Sequence, residues 1–393
     1  MASSTSRKPI SVDLFCGAGG LSEGLRQAGF ETVFAADFDP NCVMTYRANH
    51  PKTTTAEIDI AKLDAKQILD ACNGQELDLL AGGPSCQGYS THGKRNADDP
   101  RNFLFKHFIR LAGELRPKWL LMENVPGLLT FQKGYFKNLI IAQLEALGYR
   151  ADARVLCAAD YGVPQLRRRI FFLATRTDSA IVFPSPTHAP LDEAAALTPY
   201  VTIAEAIGDL PLLKGDLTRE EHDYICDPSC EYQRYARQFS PRLTMHQANG
   251  MSAQAKKVAK FIREGQGLRS VPVRHLPARF KKMRTISNGQ LRKDCTTLYY
   301  RLDRKRPGYT ITCYFRNVAS GPFMHPLEDR SLSYREAARI MSFQDRYRFE
   351  GTGFARQIGN AVPPILARAF GKQILAMLKQ EATQPRRRRK VVM

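Results

Sequence analysis

With 393 residues, 43% of them hydrophobic, the chain is long enough for one large domain and one smaller one, and no run of about 18 apolar residues could cross a bilayer. The 58 Lys and Arg against 38 Asp and Glu leave a formal charge of +20, which points to a polyanionic partner, nucleic acid first. Nine scattered cysteines and a start, MASSTSRKPI, without a signal-peptide core exclude a disulfide framework and predict an intracellular protein.

Along the chain, short β-rich runs alternate with helical patterns. ISVDLFC precedes GLSEGLRQAG, TVFAADF precedes PNCVMTYRANH, ELDLLAGG precedes FLFKHFIRLAGELR, and KWLLMENV precedes YFKNLIIAQLEALG. That rhythm predicts a doubly wound α/β sheet. In the last helix Phe136, Leu139, Ile140, Leu144 and Leu147 follow helical spacing and Gly148 stands at a stop position, so this face is core. DARVLCAADYG and RRRIFFLAT finish the sheet, after which the rhythm breaks near Arg176. From 186 to 330 the sequence is rich in Pro, Arg, Lys, His and Gln with weak periodicity, predicting a smaller, irregular domain. SYREAARIMSF and PPILARAFGKQILAMLKQ restore regular structure. The expected organisation is a sheet domain over 1–185 completed by 355–384, the irregular domain over 186–330, a hinge over 331–354 and a disordered basic tail over 385–393.

DLFCGAGG joins the first strand to the first helix, and its glycines let backbone approach a ligand at the carboxyl edge of the sheet. A tight turn, a dinucleotide site or a methyl-donor site all fit this loop alone. Asp37 ends the second strand, where a carboxylate can accept both hydroxyls of a ribose, and Phe38 can lie against an adenine ring. Asp59 and Ile60, near the third strand end, are candidates for the adenine edge. GGPSCQGYS then places Cys86 at the same edge, in a Gly- and Pro-rich turn that would expose its sulfur. Glu123 in MENVPG ends the next parallel strand and is expected beside it. A thiol, a carboxyl group and a nucleoside-binding loop on neighbouring strand ends make a reaction centre.

Taken in order, DLFCGAGG, GGPSCQGYS, ENVPG, QLRRRI, SYREAARIMSF and QIGN resemble the motif series of the DNA cytosine-5 methyltransferase family, over roughly 10–178 and 331–365. Ser85 departs from it, standing where the family often has a second proline. The resemblance implies a Rossmann-like methyltransferase sheet with a target-recognition domain at 186–330, S-adenosyl-L-methionine as cofactor and duplex DNA as partner. It implies a monomer, a cytoplasmic location in a bacterium or a nuclear one in a eukaryote, and no membrane; a cognate restriction endonuclease is a possible companion in the same system. Cys86 is the implied nucleophile at cytosine C6, Glu123 the group on ring N3 and the exocyclic amine, supplying a proton as charge develops, and Arg167 and Arg169 the catalytic arginines around the cytosine oxygen and the active-site loop. Arg168 should face away, because side chains alternate along a strand.

The cofactor pocket implied by the same resemblance comprises Phe15, Gly17, Ala18, Gly19, Gly20, Leu21, Asp37, Phe38, Asp59, Ile60, Pro84, Leu104, Asn360, Ala361 and Val362. Ser90, Arg101 and Gln165 are the candidates for DNA contact, and the polar stretch THGKRNADDPRN suits a loop closing over a flipped base. Within the variable region Tyr299, Tyr300, Arg301, Arg304 and Arg316 are candidates for DNA, a solvated basic surface being as good a reading of each. His222, Cys226, Cys230 and His246 could be metal ligands, but the spacing is loose and no metal is expected. Competing functions are a cytosine-5 methyltransferase acting on transfer RNA, a catalytically silent DNA binder on the same fold, and a nicotinamide-dependent oxidoreductase that would leave Cys86, Glu123 and the arginines without a joint role.

Overall fold

The computed structural model describes residues 7–84, 103–194, 196–284 and 296–383. Up to Thr175, eight strands lie among the described residues in the first half of the chain: β1 Ile10–Leu14, β2 Glu31–Asp37, β3 Thr54–Glu57, β4 Leu79–Gly82, β5 Trp119–Asn124, β6 Arg150–Cys157, the short β7 Gln165–Leu166, and β8 Arg168–Thr175. Seven of them form one sheet in the order β3-β2-β1-β4-β5-β8-β6. The first five are mutually parallel, and β8 runs antiparallel between β5 and β6. The strand order reverses at β1, so a crevice opens beyond the carboxyl ends of β1 and β4. β1 and β4 are buried along their whole length, as expected of central parallel strands covered on both faces.

The helices of this half are α1 Gly20–Ala28, α2 Pro40–Asn49, α3 Ala65–Cys72, α4 Phe105–Leu115, α5 Gly127–Thr130 and α6 Tyr135–Ala146. Their ends follow local chemistry: Asp39 accepts the Asn41 N–H at 3.0 Å with Pro40 in the first turn of α2, and Gly29 (φ 118°) closes α1. One face of the sheet packs Ile68 of α3, Phe108 and Leu111 of α4, and Ile140 and Leu144 of α6 against Val12, Leu14 and Leu80.

The other face is covered from both ends of the sequence. After α7 Ile203–Ile207, α8 Glu231–Arg237, α9 Ala253–Ala259 and α10 Ala278–Arg284, all short, come α11 Tyr334–Ile340, α12 Phe354–Asn360 and the 20-residue α13 Pro364–Thr383. α13 lies against α1: the side-chain position of Gly24 is filled by the Pro364 carbonyl and the Ala367 methyl, and that of Gly371 by Ala28. Only glycine permits so close a helix approach. Leu21, Leu25, Phe171, Phe370 and Ile374 share this core with Ile203, Leu243, Ile340 and Phe343.

The irregular region has its own small cluster, with Val258, Leu268, Val271, Phe280, Tyr299 and Met324 buried together. Its stability also rests on buried arginines, each paired or bonded to carbonyls, as low-dielectric burial of a cation demands. Arg301 donates to the carbonyls of Ile262 and His325 and to Asp329; Arg330 meets Glu336 at 2.7 Å. The stretch 331–354, expected as a hinge segment, is buried over most of its length. Arg335 and Arg339 of α11 are fully buried, Arg339 bridging Asp345 (2.6 Å) and Asp209 (2.5 Å) and Arg335 donating to the carbonyls of Thr244, Gln344 and Tyr347. Charged residues at buried helical positions hid this packing from a hydrophobic-pattern reading.

Candidate active site

Beyond β1 the backbone turns through three left-handed residues, Phe15 (φ 57°), Gly17 (φ 51°) and Gly19 (φ 81°), before α1 begins. The Gly17 N–H donates to Asp37 Oδ2 at 2.9 Å, and the Asp39 N–H to Asp37 Oδ1 at 2.9 Å, so the carboxylate at the end of β2 is fixed against the loop. Burial pushes the Asp37 carboxyl above its usual value, while backbone N–H groups work against that rise. Gly20 abuts the Val362 carbonyl, which leaves no room for a side chain, and α1 starts with no side-chain cap. Its first N–H groups are therefore left without a side-chain acceptor at the positive end of the helix dipole. Beside this cradle Phe38 is 70% exposed, an unusual position for a large aromatic ring.

The other half of the crevice is built by β4, β5 and β8. Glu123 near the end of β5 pairs with Arg169 of β8, Oε1 to Nε at 2.9 Å, both side chains mostly buried. A methyl placed on Gly83, just past β4, would lie 3.5 Å from Glu123 Oε2. Asn124 donates to the Pro84 carbonyl at 3.3 Å, tying the exit of β4 to the end of β5. Cys86, two residues further on, lies outside the described residues, as do Ser90 and Arg101. Arg168 is exposed, as strand alternation requires, with Arg167 buried and Arg169 between them in exposure.

The other expected site residues fall in varied surroundings. Arg167 is buried; its Nη1 donates to the Ile311 carbonyl (3.0 Å) and its Nη2 to those of Gly359 and Ala361 (3.1 Å each), while its Nε has no hydrogen-bond partner among the described residues. Gln165, expected at DNA, is fully buried; its amide nitrogen donates to Ile340 O at 2.8 Å and its oxygen accepts the Ile311 N–H at 3.1 Å. The Ile60 side chain is buried in the sheet core, which leaves only its backbone for a ligand, and its carbonyl already accepts from Arg110. Exposed Asp59 caps the following turn through the Ala61 N–H. Leu104 is half-buried ahead of α4, while Asn360 is exposed beside buried Ala361 and Val362. Tyr299 and Arg301 are buried, Arg304 pairs with Glu264 at 3.0 Å, and Arg316 lies 3.9 Å over the Tyr334 ring. Tyr300 packs edge-on against Tyr309. Both ring nitrogens of His246 are engaged, by Ser333 and the Pro211 carbonyl.

Sequence reading missed the braces beneath the glycine loop. Tyr347 donates to the Ala18 carbonyl at 2.6 Å, and Tyr46 donates to Ser22, which donates to buried Asp13 at 2.6 Å. Burial raises Asp13 to about 7. No motif marks Tyr347; an aromatic ring between two arginines, 10 residues before QIGN, is its one visible sign.

The C-5 cytosine-specific DNA methylase family model matches residues 10–376. Type II methyltransferase M.AgeI of Thalassovita gelatinovora is 35% identical, covering 93% of this chain and 98% of the relative. Type II methyltransferase M1.HphI of Haemophilus parahaemolyticus is also 35% identical, covering 94% of this chain and 87% of the relative. Among solved structures, a prophage-encoded candidate DNA modification methyltransferase from E. coli superposes with a TM-score of 0.73 at 26% identity, over 94% of this chain and 99% of that one. The Dnmt2 methyltransferase of S. pombe shares the fold at a TM-score of 0.56 and 15% identity, over 95% and 99%. The crevice beyond β1 and β4, with its glycine loop on one side and the Glu123–Arg169 pair on the other, is thus that of a chain belonging to the C-5 cytosine-specific DNA methylase family.

Proposed function

We propose that this protein methylates carbon 5 of cytosine within a specific duplex DNA sequence, using S-adenosyl-L-methionine, base flipping and a covalent bond between Cys86 and C6. The observation that carries the reading is the Glu123–Arg169 pair, set beside Gly83 at the exit of β4, three residues before Cys86 in sequence. The residues present fit the cofactor. Asp37 offers carboxylate oxygens for ribose hydroxyls, exposed Phe38 a face for adenine, and the uncapped start of α1 N–H donors for a carboxylate. Bound there, S-adenosyl-L-methionine supplies an electrophilic methyl group.

Cytosine C5 is a weak nucleophile until a group adds at C6. The Cys86 thiolate forms an S–C6 bond, which pushes an electron pair toward C5 and makes it enamine-like. Glu123 holds ring N3 and the exocyclic amine, and Arg169, already bonded to that carboxylate, reaches the cytosine oxygen. After methylation the C5 proton leaves to a base, the S–C6 bond breaks and aromaticity returns. A base stacked in a duplex cannot enter such a crevice, so it must be extruded, with Ser90 and Arg101 as candidates for phosphate contact. The protein is read as a monomer in the compartment that holds the DNA, able to work alone or opposite a cognate restriction endonuclease. Among the described residues no helix is long and apolar enough to cross a membrane.

A duplex carrying 5-fluorocytosine tests the covalent step, because fluorine cannot leave C5 as a proton does. Wild type with S-adenosyl-L-methionine is expected to form a denaturation-resistant protein–DNA complex that Cys86→Ala does not form. A complex that forms equally well with the variant, or one formed only with transfer RNA, would overturn the reading.

A further inference from the structure

The loop from Phe15 to Gly19 places three left-handed residues in five positions, one of them a phenylalanine. Such a backbone keeps one shape only where its peptide groups are held from outside. The Ala18–Gly19 peptide is held on both edges: the Gly19 N–H donates to the Cys16 carbonyl at 2.9 Å, and the Ala18 carbonyl accepts from the Tyr347 hydroxyl at 2.6 Å. Because a peptide group is planar, these two bonds fix its orientation. One of them comes from a residue 329 positions further along the chain.

Tyr347 is itself immobilised. Its ring is fully buried against Phe343 and Phe349, its hydroxyl lies 3.2 Å from His50 Nε2, and a side chain on Gly19 would collide with that hydroxyl. Burial holds the phenol well above its usual pKa, so it remains a donor. The neighbouring Arg346 bonds Glu23 in the first turn of α1 at 2.6 Å, and Asp345 belongs to the buried Arg339 network. The strap 345–347 therefore grips the loop from beneath.

We propose that Tyr347 is a positioning residue for cofactor binding: its hydroxyl, by holding the Ala18 carbonyl, presets the glycine loop in the shape that receives the methyl donor. The inference rests on the reading of this loop as the S-adenosyl-L-methionine site. Tyr347→Phe keeps the ring and its packing and removes only the bond.

In the full-length variant, the cofactor Kd by calorimetry and the cofactor KM are expected to rise roughly fivefold, the scale of one neutral hydrogen bond. The kcat at saturating cofactor and the KM for DNA should stay within about twofold, and Gly19 amide exchange should quicken, as loss of a single local bond implies. A general loosening would instead lower the melting temperature and move kcat and the DNA KM together. That pattern, or an unchanged cofactor Kd, overturns the inference. Wild type that binds no S-adenosyl-L-methionine would remove the underlying reading and the inference with it, whereas wild type that binds it and a variant that binds equally well would remove the inference alone.

Discussion

Arg167 and Arg169 stand two apart on one basic run, and the fold gives them different tasks. Arg169 reaches Glu123 in the crevice, while the two terminal nitrogens of Arg167 donate to the carbonyls of Ile311, Gly359 and Ala361 and so brace the turn against which Gly20 packs. Arg167→Met leaves three buried acceptors without that donor and is expected to lower unfolding free energy by more than about 2 kcal/mol. Arg169→Met is expected to cost less stability and far more methyl-transfer activity. Urea unfolding and initial rates on the same preparations check this; equal stability losses would contradict the division of labour. In the sequence the two arginines look alike, because alternation predicts only that they share a side of the strand. Which of them is capped by carbonyls depends on segments more than 140 residues away. The burial of Gln165 depends in the same way on distant segments, whereas the positions of Asp37 and Glu123 at strand ends were legible from the sequence.

At the scale of elements, the strand–helix rhythm of the first half was readable because buried parallel strands are continuous apolar runs and helices carry a 3.6-residue stripe. The antiparallel insertion of β8 between β5 and β6 was not, since strand order leaves no periodic trace. The α1–α13 contact left a subtle one in Gly24 and Gly371. In Gly24→Ala the new methyl meets the Pro364 carbonyl and Ala367, and overpacking of this kind costs about 1–3 kcal/mol, against a helix-propensity gain of about 1 kcal/mol. The variant is therefore expected to unfold at lower denaturant concentration than wild type; a midpoint at or above that of wild type would show that the helices separate freely. The burial of α11 was not legible because Arg335, Glu336 and Arg339 have the composition of an exposed helix, and only their partners Asp345, Arg330 and Asp209 make burial tolerable.

For the whole molecule, the charge of +20 announced a polyanionic partner, but the irregular region gave no base-reading residue, since its arginines and tyrosines divide between surface and core only through tertiary contacts. The same burial gives stability a pH dependence. Desolvation pushes His50 down to about 4, with Glu23 opposing and Arg26 and Arg346 reinforcing the shift. Since the unfolded chain takes up this proton near 6.5, the contribution is complete above that pH and is lost as pH falls from 6.5 to 4. Asp13, raised to about 7, acts in the opposite sense, its contribution fading as pH rises from 3.8 to 7. His50→Gln is expected to lose about 2–3 kcal/mol less than wild type between pH 7 and 4.5 in urea titrations, and parallel losses would refute the assignment. The central claim is tested most directly by transfer of labelled methyl from S-adenosyl-L-methionine to unmethylated duplex DNA, with bisulfite sequencing of the product, for wild type and Cys86→Ala. The account predicts 5-methylcytosine at one short sequence with wild type and none with a variant that still binds cofactor. Duplex DNA left unmodified by cofactor-binding wild type, or methylation undiminished in Cys86→Ala, would contradict it.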